Sequence, residues 1–158
     1  MKNLKIQPDS YGIRQRKQIS SYCTMQEKTM TLVLFIHCEA RQQGKVFEKA
    51  IAGCLPEADR RIIRTITEFV AELKRNQGSY ETTLFVLFAD SRSRLEELIS
   101  LRELLEDRRI LLILPDESKF TLSRAFKLSP RFYTCISDSY DDLCEVINKM
   151  MLPGYGMA

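Results

Sequence analysis

Thiols, one imidazole and a few isolated carboxylates are the reactive groups of this chain. Its five cysteines are Cys23, Cys38, Cys54, Cys135 and Cys144, and His37 is its single histidine. A cysteine beside a histidine is the composition of a thiol nucleophile with its base. His37 and Cys38, however, close an apolar run that reads as a strand, where neighbours point to opposite faces, so the pair is not expected to work together. No two cysteines are spaced C-x-x-C, and one histidine argues against a structural zinc site. Four of the five cysteines sit in apolar stretches, the habit of reduced, buried thiols in a cytoplasmic protein. Cys38–Gly44 (CEARQQG) holds one glycine and no G-x-G-x-x-G, so no phosphate-cradling loop follows the first apolar run. What remains is carboxylates: Glu39, Asp90, Asp116 with Glu117, and Asp138, each just past an apolar run.

Those runs define the elements that must position the acids. Thr31–His37 (TLVLFIH), Thr82–Ala89 (TTLFVLFA) and Arg109–Leu114 (RILLIL) are continuously apolar and rich in β-branched residues, as strands covered on both faces are. Arg60–Thr65 reads as a short edge strand and Arg131–Ile136 as the last strand. Helical spacing marks Arg41–Cys54, with Gly44 weakening its first turn, and Ser91–Asp107. Ser118–Leu128 and Ser139–Met151 complete the set. A further helix begins after Thr65, where Thr65 and Glu68 have capping-box spacing and Lys74 and Arg75 suit the far end of the dipole. Five strands and five helices alternate strictly. Short connections between them imply an α/β fold, a doubly wound parallel five-stranded sheet with helices on both faces in a three-layer, flavodoxin-like sandwich. In such a sheet the functional edge lies at the strand C-termini, where the acids are.

Composition excludes more than it assigns. The 158 residues are 44% hydrophobic and 28% charged, a globular balance and not a disordered one. No apolar run approaches the roughly 18 residues of a membrane span, and residues 1–20 show no secretory pattern. The chain reads as soluble and cytoplasmic. Residues 1–30 carry six basic and two acidic residues, against 18 basic and 19 acidic in the remainder. The organisation expected is therefore a flexible basic leader over 1–30, one folded domain over 31–152, and a short tail over 153–158. A neutral body argues against a nucleic-acid-binding face.

The order, length and hydrophobic pattern of the (βα)5 unit, with acids just past its first and third strands, resemble the receiver domain of bacterial response regulators. The resemblance covers Thr31 to about Leu152. It implies phosphoryl transfer from a histidine kinase to an aspartate at the end of the third strand. Two acids after the first strand would hold Mg²⁺, a hydroxyl would end the fourth strand, and a lysine would end the fifth. The metal and the lysine would neutralise the transferring group. Carried onto this chain, the acceptor position is Asp90 and the acidic pair reduces to Glu39. The hydroxyl position falls at Leu114 or Pro115 and the lysine position at Cys135 or Ile136. No lysine occurs between Lys127 and Lys149.

Each sharp reading has a plainer rival. Asp90 reads more readily as an acid at a helix N-terminus beside the capping Ser91 than as a phosphoacceptor. Glu39 is a weak metal candidate, Asp116 and Glu117 read as capping acids, and His37 as a strand-end histidine. The expectation is a degenerate, pseudo-receiver module that is not an enzyme and binds no cofactor. It would act in bacterial two-component signalling through a protein partner, either a kinase, an effector or a second copy of itself. The contact surface expected from the resemblance includes Phe120, Arg124, Lys127, Tyr140, Met150 and Met151, with Met150 equally readable as core. The alternatives are a divergent active receiver, phosphorylated at Asp90 and needing Mg²⁺, and a flavodoxin-like small-ligand binder or enzyme.

Overall fold

The structure is a computed structural model and describes residues 30–55, 60–75 and 83–152. The leader over 1–30, apart from Met30, and the tail over 153–158 lie outside the described residues. The elements in chain order are β1 (Thr31–Ile36), α1 (Arg41–Cys54), β2 (Arg60–Ile63), α2 (Ile66–Arg75), β3 (Thr83–Phe88), α3 (Arg92–Ile99), α4 (Arg102–Leu105), β4 (Arg109–Leu114), α5 (Lys119–Ala125), β5 (Phe132–Cys135) and α6 (Asp141–Met150). All five strands are parallel, in the order β2-β1-β3-β4-β5. The doubly wound sheet expected from the alternation is the one present, with Thr83–Phe88 buried at its centre and Arg60–Ile63 at one edge.

Side-chain alternation along each strand builds two cores from one sheet. Leu32, Leu34 and Ile36 of β1, with Leu84, Val86 and Phe88 of β3, meet Phe47 and Ile51 of α1 and Leu143, Ile147 and Met150 of α6. Val33, Phe35, Phe85 and Leu87 point the other way, into Phe69 and Leu73 of α2, Leu95 and Leu98 of α3, Leu105 of α4 and Ala125 of α5. Phe85 is fully buried with Phe69 edge-on to it, and truncating so large a buried ring costs about 3–5 kcal/mol.

Gly44 weakens the helix locally and is nevertheless required there. A Cβ at this position would lie 2.8 Å from Ile36 Cγ2 and 3.0 Å from Ala40 Cβ, so only glycine lets α1 lie this close to β1. At α2 the capping box forms as its spacing predicts. The Glu68 N–H donates to Thr65 Oγ1 at 3.1 Å, while the Glu68 carboxylate accepts from the backbone N–H of Arg64, one residue earlier than Thr65, at 3.2 Å.

Two features depart from expectation. The helix predicted over Ser91–Asp107 is broken into α3 and α4. The Ser100 hydroxyl donates to the Glu97 carbonyl at 2.5 Å, and the Leu101 N–H donates to Leu98 three residues back. A serine bonding its own helix's carbonyls, followed by a tightened turn, interrupts the regular ladder. Second, not all cysteines in apolar stretches are reduced. Cys54 at the end of α1 and Cys144 on α6 form a disulfide, with Cα atoms 6.1 Å apart. They are 90 residues apart in the chain, and the packing of α1 beside α6 on one face of the sheet brings them together. In the chain-entropy account, closing a loop of that size stabilises the fold by about 4–5 kcal/mol. Cys135 is buried and free, and Cys38 is exposed and free.

Candidate functional site

The C-terminal ends of the strands present two groups of acids. The first is organised by one side chain. Asp90 leaves β3, and Ser91 caps α3 by accepting from the Arg94 N–H at 3.1 Å. The first turn of α3 then returns the Arg94 side chain, four residues on, over the strand end. Its Nε donates to Asp90 Oδ1 at 3.0 Å and one terminal nitrogen to Glu39 Oε1 at 2.7 Å, while the other terminal nitrogen donates to Glu97. Burial disfavours charge on this guanidinium, but its hydrogen bonds to Asp90 and then Glu39 outweigh that and raise its pKa. The Arg94 side chain is 8% exposed and Asp90 13%, whereas Glu39 is 71% exposed and reaches in from outside.

Glu39 arrives there because the chain turns immediately after β1. Cys38–Ala40 is one turn of 3₁₀-helix whose cap is His37, with His37 Nδ1 accepting from the Glu39 N–H at 3.1 Å. The same turn brings Cys38 Sγ within 3.7 Å of His37 Nδ1. Strand geometry predicted that these neighbours would point apart. The strand stops at Ile36, so the alternation does not extend to them.

The second group of acids lies beyond β4 and β5, and hydroxyls and backbone hold it. Asp116 accepts from Thr121 Oγ1 at 2.6 Å, from the Ser118 N–H at 3.0 Å and from Arg92 Nε at 3.1 Å. These bonds, Thr121 foremost, hold its carboxyl well below the usual range. Its role is the capping expected of it, because Asp116, Ser118 and Thr121 together start α5. Asp138 accepts from Thr134 Oγ1 and from the Cys135 N–H, both at 3.1 Å. Glu117, Cys135 and Asp138 bring one potential ligand atom each within 4.8 Å of one another. The Cys135 thiol is pushed up to about 11, chiefly by burial and then by Glu117, Asp138 and Asp116, so it stays protonated at neutral pH.

Set against the five receiver positions, the chain has an acid at two of them, Asp90 and Glu39, and joins these through Arg94. Leu114, at the hydroxyl position, is fully buried, and Cys135, at the lysine position, is a neutral thiol. The residues present do not fit Mg²⁺. A hard dication needs several carboxylate oxygens free to turn toward it, and here one oxygen of each acid is bonded to a guanidinium that would repel it. Arg94 is the residue that sequence reasoning passed over. The i,i+4 spacing of Asp90 and Arg94 was the available signal, but the Glu39 contact spans 55 residues and had none.

The residues expected to form a contact surface are distributed over both faces. Phe120 is 58% exposed, under the Arg92 guanidinium. Arg124 donates twice to Glu96, at 2.7 and 2.6 Å. Lys127 is exposed. Tyr140 is half-buried, edge-on to Phe47. Met150 is core, fully enclosed against α1 and the sheet, and Met151 is half-buried beside it. Two exposed aromatics had not been singled out: Phe126 and Tyr133, edge to face at 5.9 Å beside the β5 edge. Among the described residues, no helix is long and apolar enough to cross a membrane.

No protein-family model matches the chain, and no curated protein matches it by sequence. Solved structures do match it by shape. A response regulator from Thermotoga maritima superposes with a TM-score of 0.52 at 15% identity, covering 77% of this chain and 98% of that one. A proposed pilus assembly protein (cpaE) from Burkholderia thailandensis gives 0.51 at 14%, covering 77% of this chain and 97% of that one. A proposed pilus assembly-related protein from Burkholderia pseudomallei gives 0.52 at 14%, covering 79% and 91%. The fold of this chain is thus the receiver-like, flavodoxin-like five-stranded sandwich, arrived at with little sequence in common.

Proposed function

We propose that this chain is a receiver-like signalling module that acts by protein–protein contact, without phosphotransfer and without catalysis of its own. The observation that carries this reading is Arg94 bonded to both Asp90 and Glu39. Phosphoryl transfer to an aspartate needs cations placed to offset the incoming charge. Here one oxygen of each acid, Asp90 Oδ1 and Glu39 Oε1, is bonded to Arg94, and the guanidinium is committed to the acids rather than to an incoming phosphoryl group. The neutral Cys135 thiol at the lysine position removes a further cation. The strand-end acids are thereby tied into the fold by Arg94, which suits a module read by its surface.

The face offered to a partner is the one around α5 and the β5 edge, where Phe120, Phe126 and Tyr133 are exposed beside Arg124 and Lys127. Large aromatics next to cations are the side chains that dominate protein contacts. Likeness in fold to chains named as a response regulator and as proposed pilus assembly proteins supports a bacterial signalling setting, with a kinase, an effector or a second copy as partner.

Intact mass after incubation with acetyl phosphate and Mg²⁺, beside an Asp90→Asn control, tests the reading. The expected result is no mass increase in either protein. A phosphoryl adduct that the control lacks would replace this reading with that of a divergent, Asp90-phosphorylated receiver.

A further inference from the structure

On the far side of the His37–Glu39 turn from the Arg94 pocket, a cleft of about 620 Å³ opens between α1 and the end of β2. Buried Ile36 and Gly44 and exposed Cys38 and Ala52 also line it. Its wall is a row of cations on one stripe of α1, Arg41, Lys45 and Lys49. They recur every four residues, so successive charges stand about 6 Å apart along the helix axis. Arg64 closes the other side. Glu48, the one carboxylate in the lining, is already bound to Arg64 at 2.9 Å. Among the described residues, no ion pair or side-chain hydrogen bond engages Arg41, Lys45 or Lys49.

Helix stability does not account for this row. Cations are favourable in the last turn of a helix and unfavourable in the first, yet α1 starts on Arg41, carries no acid in its first turn and no cation in its last. Arg41 also holds φ 51° and ψ −122°, a conformation that favours glycine and costs a bulkier residue about 1–3 kcal/mol. A domain whose acids and bases otherwise balance has thus gathered four cations around one concavity, three of them with no opposing charge. The opening lies at the C-terminal ends of β1 and β2. Its volume is that of a small-molecule site.

We propose that this cleft binds a small phosphorylated ligand with more than one phosphate, of the nucleoside polyphosphate kind. The phosphates lie along Arg41, Lys45 and Lys49, and the rest of the ligand lies against exposed Cys38. Two or more phosphates are needed to meet a row of separated charges. Cys38, exposed and lining the same cleft, serves as an internal reporter of occupancy.

The test is titration calorimetry of the full chain at physiological salt without added metal, using ATP and inorganic tripolyphosphate. Both are expected to bind, ATP more tightly because its nucleoside adds contacts beyond the phosphates. Lys45→Glu and Lys49→Glu are each expected to weaken ATP by about tenfold or more. Lys74→Glu, an equal charge reversal on exposed α2, should leave it within about twofold. Saturating ATP should slow alkylation of Cys38, read by peptide mass. Absence of binding at millimolar ATP would overturn the proposal. So would equal loss in Lys74→Glu, which would make the attraction one of overall charge. Tighter binding of polyglutamate than of ATP would reassign the cleft to an acidic protein segment.

Discussion

The pocket beneath Arg94 and the cleft along α1 share β1 as a wall and are separated only by the turn from His37 to Glu39, yet they treat charge in opposite ways. In the pocket the guanidinium meets three carboxylates. In the cleft, three cations of α1 meet none among the described residues. A charge answered within the fold contributes to its architecture. One left facing solvent contributes little to stability and remains available to a partner. Had the fold alone been the guide, attention would have stayed on the acids, because that is where receivers do their chemistry. The pairing pattern directs it to the basic side.

Four substitutions or titrations sharpen the contrast. The largest effect is expected from Arg94→Ala, which leaves Asp90 partly buried without its cation and beside a like charge. Removing one partner of such a group should cost about 2–3 kcal/mol in urea unfolding, less than a fully buried pair because Glu39 and Glu97 are exposed. An Arg94→Ala protein as stable as the parent would remove the argument that the pocket is structural. Next is the acid limb of the stability curve. Asp116 has its folded pKa depressed by Thr121, Ser118 and Arg92, so its contribution is present above the unfolded carboxylate range near pH 4 and is lost as pH falls below it. Thr121→Val should make acid unfolding begin at higher pH, followed by circular dichroism.

Cys135 gives the opposite sign. Its folded pKa is raised to about 11, so its contribution is complete below the unfolded thiol value of about 8.5 and is lost as pH rises toward 11. At pH 8 a thiol reagent should therefore modify Cys38 and spare Cys135 until the protein is unfolded, which peptide mapping would show. The smallest effect is expected for Lys45→Glu, a change within about 0.5 kcal/mol in the same urea assay. A large loss there would mean that the cleft cations hold the fold, and the contrast between the two regions would collapse.

How far the sequence anticipated this molecule follows from the range of each interaction. Arg41–Cys54 and Arg109–Leu114 were readable to the residue, because apolar period and local stops define them. The capping box of α2 was readable for the same reason. The break at Ser100 was not: a serine at that position is as compatible with a continuous helix, and only its bond to Glu97 ends it. The Cys54–Cys144 pairing depends on two helices meeting after the intervening strands and helices, and spacing carries no record of that. Arg94 was half visible. Its link to Asp90 is local, but its link to Glu39 exists only once β1 and β3 lie side by side in the sheet.

The disulfide also sets how the molecule would bear load. Cys54 and Cys144 bracket β2 through β5, so the covalent ring contains four of the five strands. Pulled from its two ends, the oxidised chain transmits tension through α1, the sulfur bridge and α6, and the chain between the cysteines, a separation of 90 positions, stays slack. At about 3.4 Å per residue, roughly 300 Å of extension is withheld until the bridge is reduced. Oxidised, the domain would behave under force as a short, stiff link, and reduced, as a long extensible one.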